Sequence, residues 1–364
     1  MGFKAQLSFR NEKQVQFLSK NIAQHFGNRG VSWADKVATV LRDLKETTDI
    51  NTLKKLDEGK IQEYVSELRE SVENGDIKAE TAQTYISALN TVLDYTNNVN
   101  NTNFSSISAA ANGISASVDY SDKSVSGEIH QSFQNFLQEK FEQTGDSKFE
   151  HLQTAIELQR EFGLRFRESV GLNIKTIEKS LESGKLELSR TDWTKNARPR
   201  IVEIRTTEQK ELLQKVQNTL QQTGKVNLAG AEKASHYKEI ASFRNFADRA
   251  RQEFTKTGEN YNFHGERHTW AQSQYSAKWE QKTGIAIQSP IKYYSSELEA
   301  KNWDGSGKFY DAVKEYDITP FREYVQEQVP EIDFKEIDNE IRQEISEELG
   351  HNRLDITNTY LGHP

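Results

Sequence analysis

The 364-residue chain contains no cysteine, which removes disulfides, thiol nucleophiles and thiolate metal sites. It also lacks any run of ~20 apolar residues, so a transmembrane helix is excluded. The opening MGFKAQLSFRNEK has no apolar stretch of the kind a secretory signal needs. A cytoplasmic protein without a membrane partner is expected. No GxxxxGK[ST] loop occurs, so no phosphate-cradling nucleotide site is expected. Excess positive charge is missing as well. Lys and Arg number 47 against 55 Asp and Glu, a net of −8, whereas a DNA binder is usually basic. The deficit is local, because Asp311–Leu349 alone holds 13 acidic and 4 basic residues and leaves the remainder at +1.

What is present suits a wet globular protein, with 35% apolar residues and a mean hydropathy of −0.81. At ~150 residues per domain the length suggests two domains. Residues 1–30 are polar and read as an N-terminal extension. Over 31–97 apolar residues recur at helical spacing: Trp33, Val37, Val40 and Leu41, then Leu53 and Leu56, then Ile61, Tyr64, Val65 and Leu68, then Tyr85, Leu89, Val92 and Leu93. A compact four-helix domain is predicted there. Residues 98–127 are dominated by Asn, Ser, Ala and Gly, a composition too poor in apolar surface to order itself, and read as a linker.

The second domain is expected over 128–364, mainly α with a small β-sheet. Helical patterns fill 129–141, 149–162, 208–219, 240–255 and 264–279, and 185–190 and 200–205 read as two strands around a turn. Phe334, Ile337, Ile341, Ile345 and Leu349 form one more helical stripe, closed by Gly350.

Four short segments carry chemistry. In HGERHTWA, His264, Arg267 and His268 share a helix face. Zinc is a poor fit there, since Gly265 stands where a zinc protease needs Glu and the arginine repels a cation. ELGHNRLDITNTYLGH places His351 nine residues before Tyr360, whose phenol, with an ordinary pKa of ~10, needs nearby cations to become a nucleophile. EFGLRFRESVGL offers Arg165, Arg167 and Glu168, and DWTKNARPRIVEI puts Lys195 at the hairpin turn. Singly, each reads as an ordinary surface or packed segment.

In this order the pieces GLRFRE, TKNARPR, HGERHTWAQ and ISEELGHNRLDITNTYLG resemble the tyrosine recombinase (phage integrase) family, and most closely integrases of bacterial mobile elements. The resemblance runs from about Val31 to Pro364, with 31–97 similar to the family's helical core-binding domain. It implies a site-specific recombinase that cuts and rejoins DNA through a covalent 3′-phosphotyrosine, with no cofactor and no metal. Arg165, Lys195, His264, Arg267, His351 and Tyr360 match the catalytic positions, and Glu168 and His268 the supporting ones. The pattern Gly-x-Arg-x-x-Glu selects Arg165 over Arg167, and His351 is preferred to His363.

Double-stranded DNA is then the expected partner, held by both domains. The candidate contacts are Lys36, Arg42, Lys45, Lys54, Lys55, Gln83 and Thr84 in the first, and Arg198, Arg200, Lys238, Arg244, Arg249 and Arg251 in the second. The resemblance also implies a homotetramer on paired sites and an accessory DNA-bending or directionality factor. Other readings are the same chemistry used for multimer resolution or topoisomerase-like relaxation, and a catalytically silent DNA-binding protein. One departure is the 87-residue gap between His264 and His351, longer than the family's usual spacing. The surplus is expected as an insertion at about 274–331, a surface excursion or else a subunit contact or gate. The other is that only Leu361–Pro364 follow Tyr360.

Overall fold

A computed structural model describes residues 7–25, 31–115, 121–195, 198–233, 237–351 and 353–364. The chain divides into two compact units, Met1–Val118 and Asp119–Pro364. Among the described residues no helix is long and apolar enough to cross a membrane.

The first unit consists of α1 (Glu12–His25), α2 (Val31–Thr48), α3 (Glu58–Glu73) and α4 (Ala79–Asn100). Its core gathers Leu18, Ile22, Val37, Leu41, Ile61, Val65, Leu89 and Val92, all buried. Each such side chain contributes about 1.5–3 kcal/mol by leaving water. Two expectations change here. Residues 1–30 are not all an extension, because Val15, Leu18 and Ile22 give α1 a buried stripe and Ser8 bridges Thr52. Leu53 and Leu56 belong to a single 3₁₀ turn and the residue after it, so α1 supplies the fourth helix.

The expected loose linker also gives way to packing. Asn97 of α4 accepts from the Phe104 amide at 2.8 Å and donates to its carbonyl at 2.9 Å. Asn90 holds Ile107 in the same two-way fashion, and Ile114 is fully buried in the first unit's core. Farther on, the Val125 amide donates to Thr269 within the second unit. Side-chain amides thus supply the ordering that apolar surface does not.

The second unit begins with α5 (Gly127–Thr144), α6 (Lys148–Phe162), α7 (Phe166–Gly171) and α8 (Ile174–Ser183). Strands β1 (Lys185–Leu188) and β2 (Arg200–Glu203) follow, antiparallel with Leu188 opposite Arg200. Then come α9 (Thr207–Thr223), α10 (Tyr237–Thr255) and α11 (Phe263–Thr283). Helix α11 is central and buries Trp270, Ala271, Tyr275 and Trp279 as it packs against α6.

The surplus between the motif segments is helical: α12 (Pro290–Ala300), α13 (Phe309–Glu315) and α14 (Phe321–Gln328). It is no surface excursion, since Tyr293, Tyr294 and Phe321 lie in the unit's core and the Tyr294 hydroxyl accepts from the Phe321 amide at 2.8 Å. Helices α15 (Phe334–Glu348) and α16 (Leu354–Leu361) close the chain. Asp338 of α15 takes the Tyr275 hydroxyl at 2.6 Å and Arg342 Nε at 2.7 Å, and Arg342 donates on to Asn358 of α16 at 3.0 Å. Three helices are thereby tied at one buried polar knot.

Candidate active site

The site is assembled from residues at or near the ends of several helices. Gly163 terminates α6 in the left-handed region (φ +60°), turning the chain so that Arg165 caps α7. Glu168 is fully buried and closes the cap. It accepts the Arg165 amide at 2.7 Å and the Arg165 guanidinium at 2.8 Å. Burial pushes the Glu168 carboxyl up, but the charges of Arg200, Arg267 and Arg165 overcome it and hold it below its usual range. Arg167, the rival to Arg165, is exposed and donates to Tyr237 instead.

Arg267 rises from the first turns of α11 and is fully buried. Its guanidinium donates to the Gly163 carbonyl, to the Leu349 carbonyl at 2.6 Å and, through Nε, to the Tyr360 hydroxyl at 3.3 Å. His351 Nε2 lies 3.4 Å from the same guanidinium and 3.2 Å from the Tyr360 hydroxyl. A guanidinium only donates, so this nitrogen carries a lone pair and can receive the phenol proton. Burial, reinforced by Arg267, Arg165, Arg200 and Lys195, lowers the His351 pKa to about 3.

His264 stands exposed at the edge of the cluster, its ring centre 5.8 Å from that of Tyr360. Loss of hydration and the charges of Arg267, Arg165, Lys123 and Lys195 bring its pKa to about 4. His268 is buried with its ring 4.6 Å from Tyr360, and burial, then His264, lowers it to about 3. All three imidazoles are therefore neutral at pH 7. Lys195 is exposed in the β1–β2 connection, and its charge reaches both His264 and His351.

Tyr360, 4% exposed, is held through its backbone too. Gln272 donates to its carbonyl at 3.2 Å and to Asp122 at 2.9 Å, and Asp122 pairs with Lys292 of α12 at 2.9 Å. Just beyond, the His363 amide donates to the Tyr310 hydroxyl at 2.6 Å. His363 is thus spent on the helical surplus, while His351 joins the cluster. Glu266 was absent from the sequence-predicted site. It is buried on α11 and accepts from Arg160 at 2.7 Å and Tyr261 at 2.8 Å, which fixes the helix turn bearing Arg267.

The expected DNA contacts fare unevenly. Arg200 is 5% exposed, bonded to Glu168 and to the Glu348 carbonyl, and has no surface for the phosphate contact expected of it. The signal was in the sequence, since strand alternation puts Arg200 on the face of buried Val202, opposite exposed Ile201. Arg42 spends its fork on Glu12, Lys45 donates to the Arg10 carbonyl and Arg244 pairs with Asp248 over the Phe166 ring. Gln83 donates to the Ile114 carbonyl and Thr84 to its own helix. Lys54, Lys55, Arg198, Lys238 and Arg249 are exposed, and Lys36 and Arg251 half-buried.

A tyrosine hydroxyl enclosed by guanidinium and neutral imidazole groups suits transfer of a phosphoryl group to the phenol. The family described as "Integrase" matches residues 116–273, a stretch that includes Arg165, Lys195, His264 and Arg267. No curated protein sequence matches the chain significantly. Among solved structures, the Tn1549 transposon integrase (residues 82–397, Y379F) in complex with transposon right end DNA is similar at TM-score 0.52 and 12% identity, over 96% of this chain and 95% of that one. The R225K form of that integrase with a circular intermediate DNA gives TM-score 0.54 and 13% identity at the same coverage. Residues 116–273 thus carry the Integrase family's pattern, and the two solved integrases share this chain's fold.

Proposed function

We propose that the chain is a site-specific DNA recombinase in which Tyr360 is the nucleophile, cutting one DNA strand at a time and leaving a 3′-phosphotyrosine. The observation that carries the reading is the Tyr360 hydroxyl lying 3.2 Å from His351 Nε2 and 3.3 Å from Arg267 Nε. The Tyr360 oxygen bonds to phosphorus as the bond to the 5′ oxygen breaks. The phenol proton passes to a neutral imidazole, with His351 within reach and His264 beside it to orient the phosphate. Lys195 gives a proton to the departing 5′ oxygen. Arg165 and Arg267 neutralise the extra charge that grows on the non-bridging oxygens, a task suited to permanently charged forks.

The reverse attack, by a 5′ hydroxyl on the phosphotyrosine, rejoins the strands. One phosphoester replaces another, so no energy source is consumed. The exposed cations of each unit bind phosphates and make affinity fall steeply with salt. Exchange between two duplexes requires a homotetramer on paired sites, assisted by a DNA-bending or directionality factor, and takes place in the cytoplasm.

The test uses a nicked duplex taken from the DNA flanking the gene. Native protein should become trapped as a covalent protein–DNA adduct, and Tyr360→Phe should bind equally but form none. Adduct from Tyr360→Phe defeats the assignment. Joined products between two sites, rather than plasmid relaxation alone, separate recombination from relaxation.

A further inference from the structure

Arg200 opens β2 with its side chain directed into the core. One terminal nitrogen meets Glu168 Oε2 at 2.5 Å and the other donates to the Glu348 carbonyl at 2.8 Å, while Nε has no partner. A buried ion pair is a weak stabiliser, because desolvation of both charges offsets their attraction, and an apolar side chain of similar volume closes a core as well. What an apolar side chain lacks is a rigid fork that joins a carboxylate to a carbonyl at fixed geometry.

Both ends of that bridge lead to the reacting groups. Glu168 divides its carboxylate between Arg165 on one oxygen and Arg200 on the other. Glu348 is the last residue of α15, and the neighbouring carbonyl, of Leu349, accepts from Arg267 at 2.6 Å and from Arg165 at 3.3 Å. Three guanidiniums thus converge on two adjacent carbonyls at the negative end of a helix. His351 follows two residues later.

We propose that Arg200 is a positioning residue for strand cleavage: it keeps Glu168 ionised against Arg165 and pins the end of α15, setting the register of His351 and Tyr360. This inference rests on Tyr360 being the nucleophile. Arg200 itself reaches neither Tyr360 nor the surface, so its removal should leave DNA affinity unchanged and act on the rate of the covalent step.

The experiment measures, on the same nicked duplex, DNA affinity and single-turnover adduct formation between pH 5 and 9 for Arg200→Met, Arg200→Lys and the double variant Arg200→Met/Glu168→Gln. Arg200→Met should bind normally and form adduct about 100-fold more slowly, the scale of a small misplacement. Its acid limb should move to higher pH, because burial then raises Glu168 without its strongest cationic counterweight. Glu168→Gln in that background removes the uncompensated charge and should recover part of the rate and abolish the limb. Arg200→Lys retains a charge but not the fork, and should keep the native acid limb with a reduced rate. If Arg200→Met fails to fold, Arg200→Lys decides. A native rate in either single variant, or an Arg200→Met acid limb coincident with the native one, overturns the proposal. Should Tyr360→Phe still form adduct, the site assignment itself fails; should it be inert while the Arg200 variants behave natively, only this inference does.

Discussion

The His351 imidazole stands 3.2 Å from the Tyr360 hydroxyl, although a bend and most of a helix separate the two along the chain. Helix α16 folds back so that a residue following α15 and one near the end of α16 share a hydrogen-bond contact. Arg267 supports both members of the pair and is itself anchored to main-chain carbonyls. In this arrangement the imidazole stays neutral because it is buried and, secondarily, crowded by cations, and the phenol is left to interact with a base rather than with a second acid.

Neutral buried histidines make the fold sensitive to acid. His268 has a folded pKa of about 3 against an ordinary 6.5. Above pH 6.5 neither the folded nor the unfolded imidazole is protonated, and the stabilisation is complete. As pH falls from 6.5 towards 3, only the unfolded chain takes up the proton, so stability drains across that window. Melting temperature should therefore fall between pH 7 and pH 4.5, and less steeply in His268→Gln. Parallel curves for the two proteins contradict this.

Gly163 turns the chain from α6 towards Arg165, and a Cβ placed there lies 2.5 Å from the Trp270 ring. Left-handed backbone and overlap combine against any side chain. Gly163→Ala should lose roughly 2–4 kcal/mol in urea unfolding. A loss below about 1 kcal/mol means that Trp270 moves aside freely.

The helical surplus packs beside the end of the helix that carries Tyr360. The Tyr310 hydroxyl accepts the His363 amide, and a Cβ at Gly362 would press on that hydroxyl and on Ile291 of α12. Tyr310→Phe removes the acceptor at a cost of about 1 kcal/mol. Adduct formation should slow several-fold while DNA affinity stays native, as measured by gel shift and single-turnover cleavage. Equal losses in both assays point to a general destabilisation instead.

The resemblance singled out Arg165, Lys195, His264, Arg267, His351 and Tyr360 from short segments far apart in the chain, and the structure gathers Arg267, His264 and His351 around Tyr360, with Arg165 sharing the Leu349 carbonyl with Arg267. The two-strand hairpin and the long helices were legible from periodicity. Helix α1 was not, because Val15, Leu18 and Ile22 are thinly spread among polar residues. The segment after α4 misled for a different reason. Its order comes from Asn90 and Asn97 reaching across to main-chain groups, a long-range bond that composition does not register. Arg200 was placed on the surface by residue type, against the alternation of its own strand.

The atoms that Arg165, Arg200 and Arg267 grip at the end of α15 belong to the main chain. Every amino acid supplies the same carbonyl, so drift in the side chains at 348 and 349 costs the grip little. A one-residue insertion or deletion there is another matter, since it would rotate those carbonyls away and carry the distal phenol out of phase. Natural variation in such a chain should therefore be tolerant of spelling and intolerant of length between residues 348 and 360.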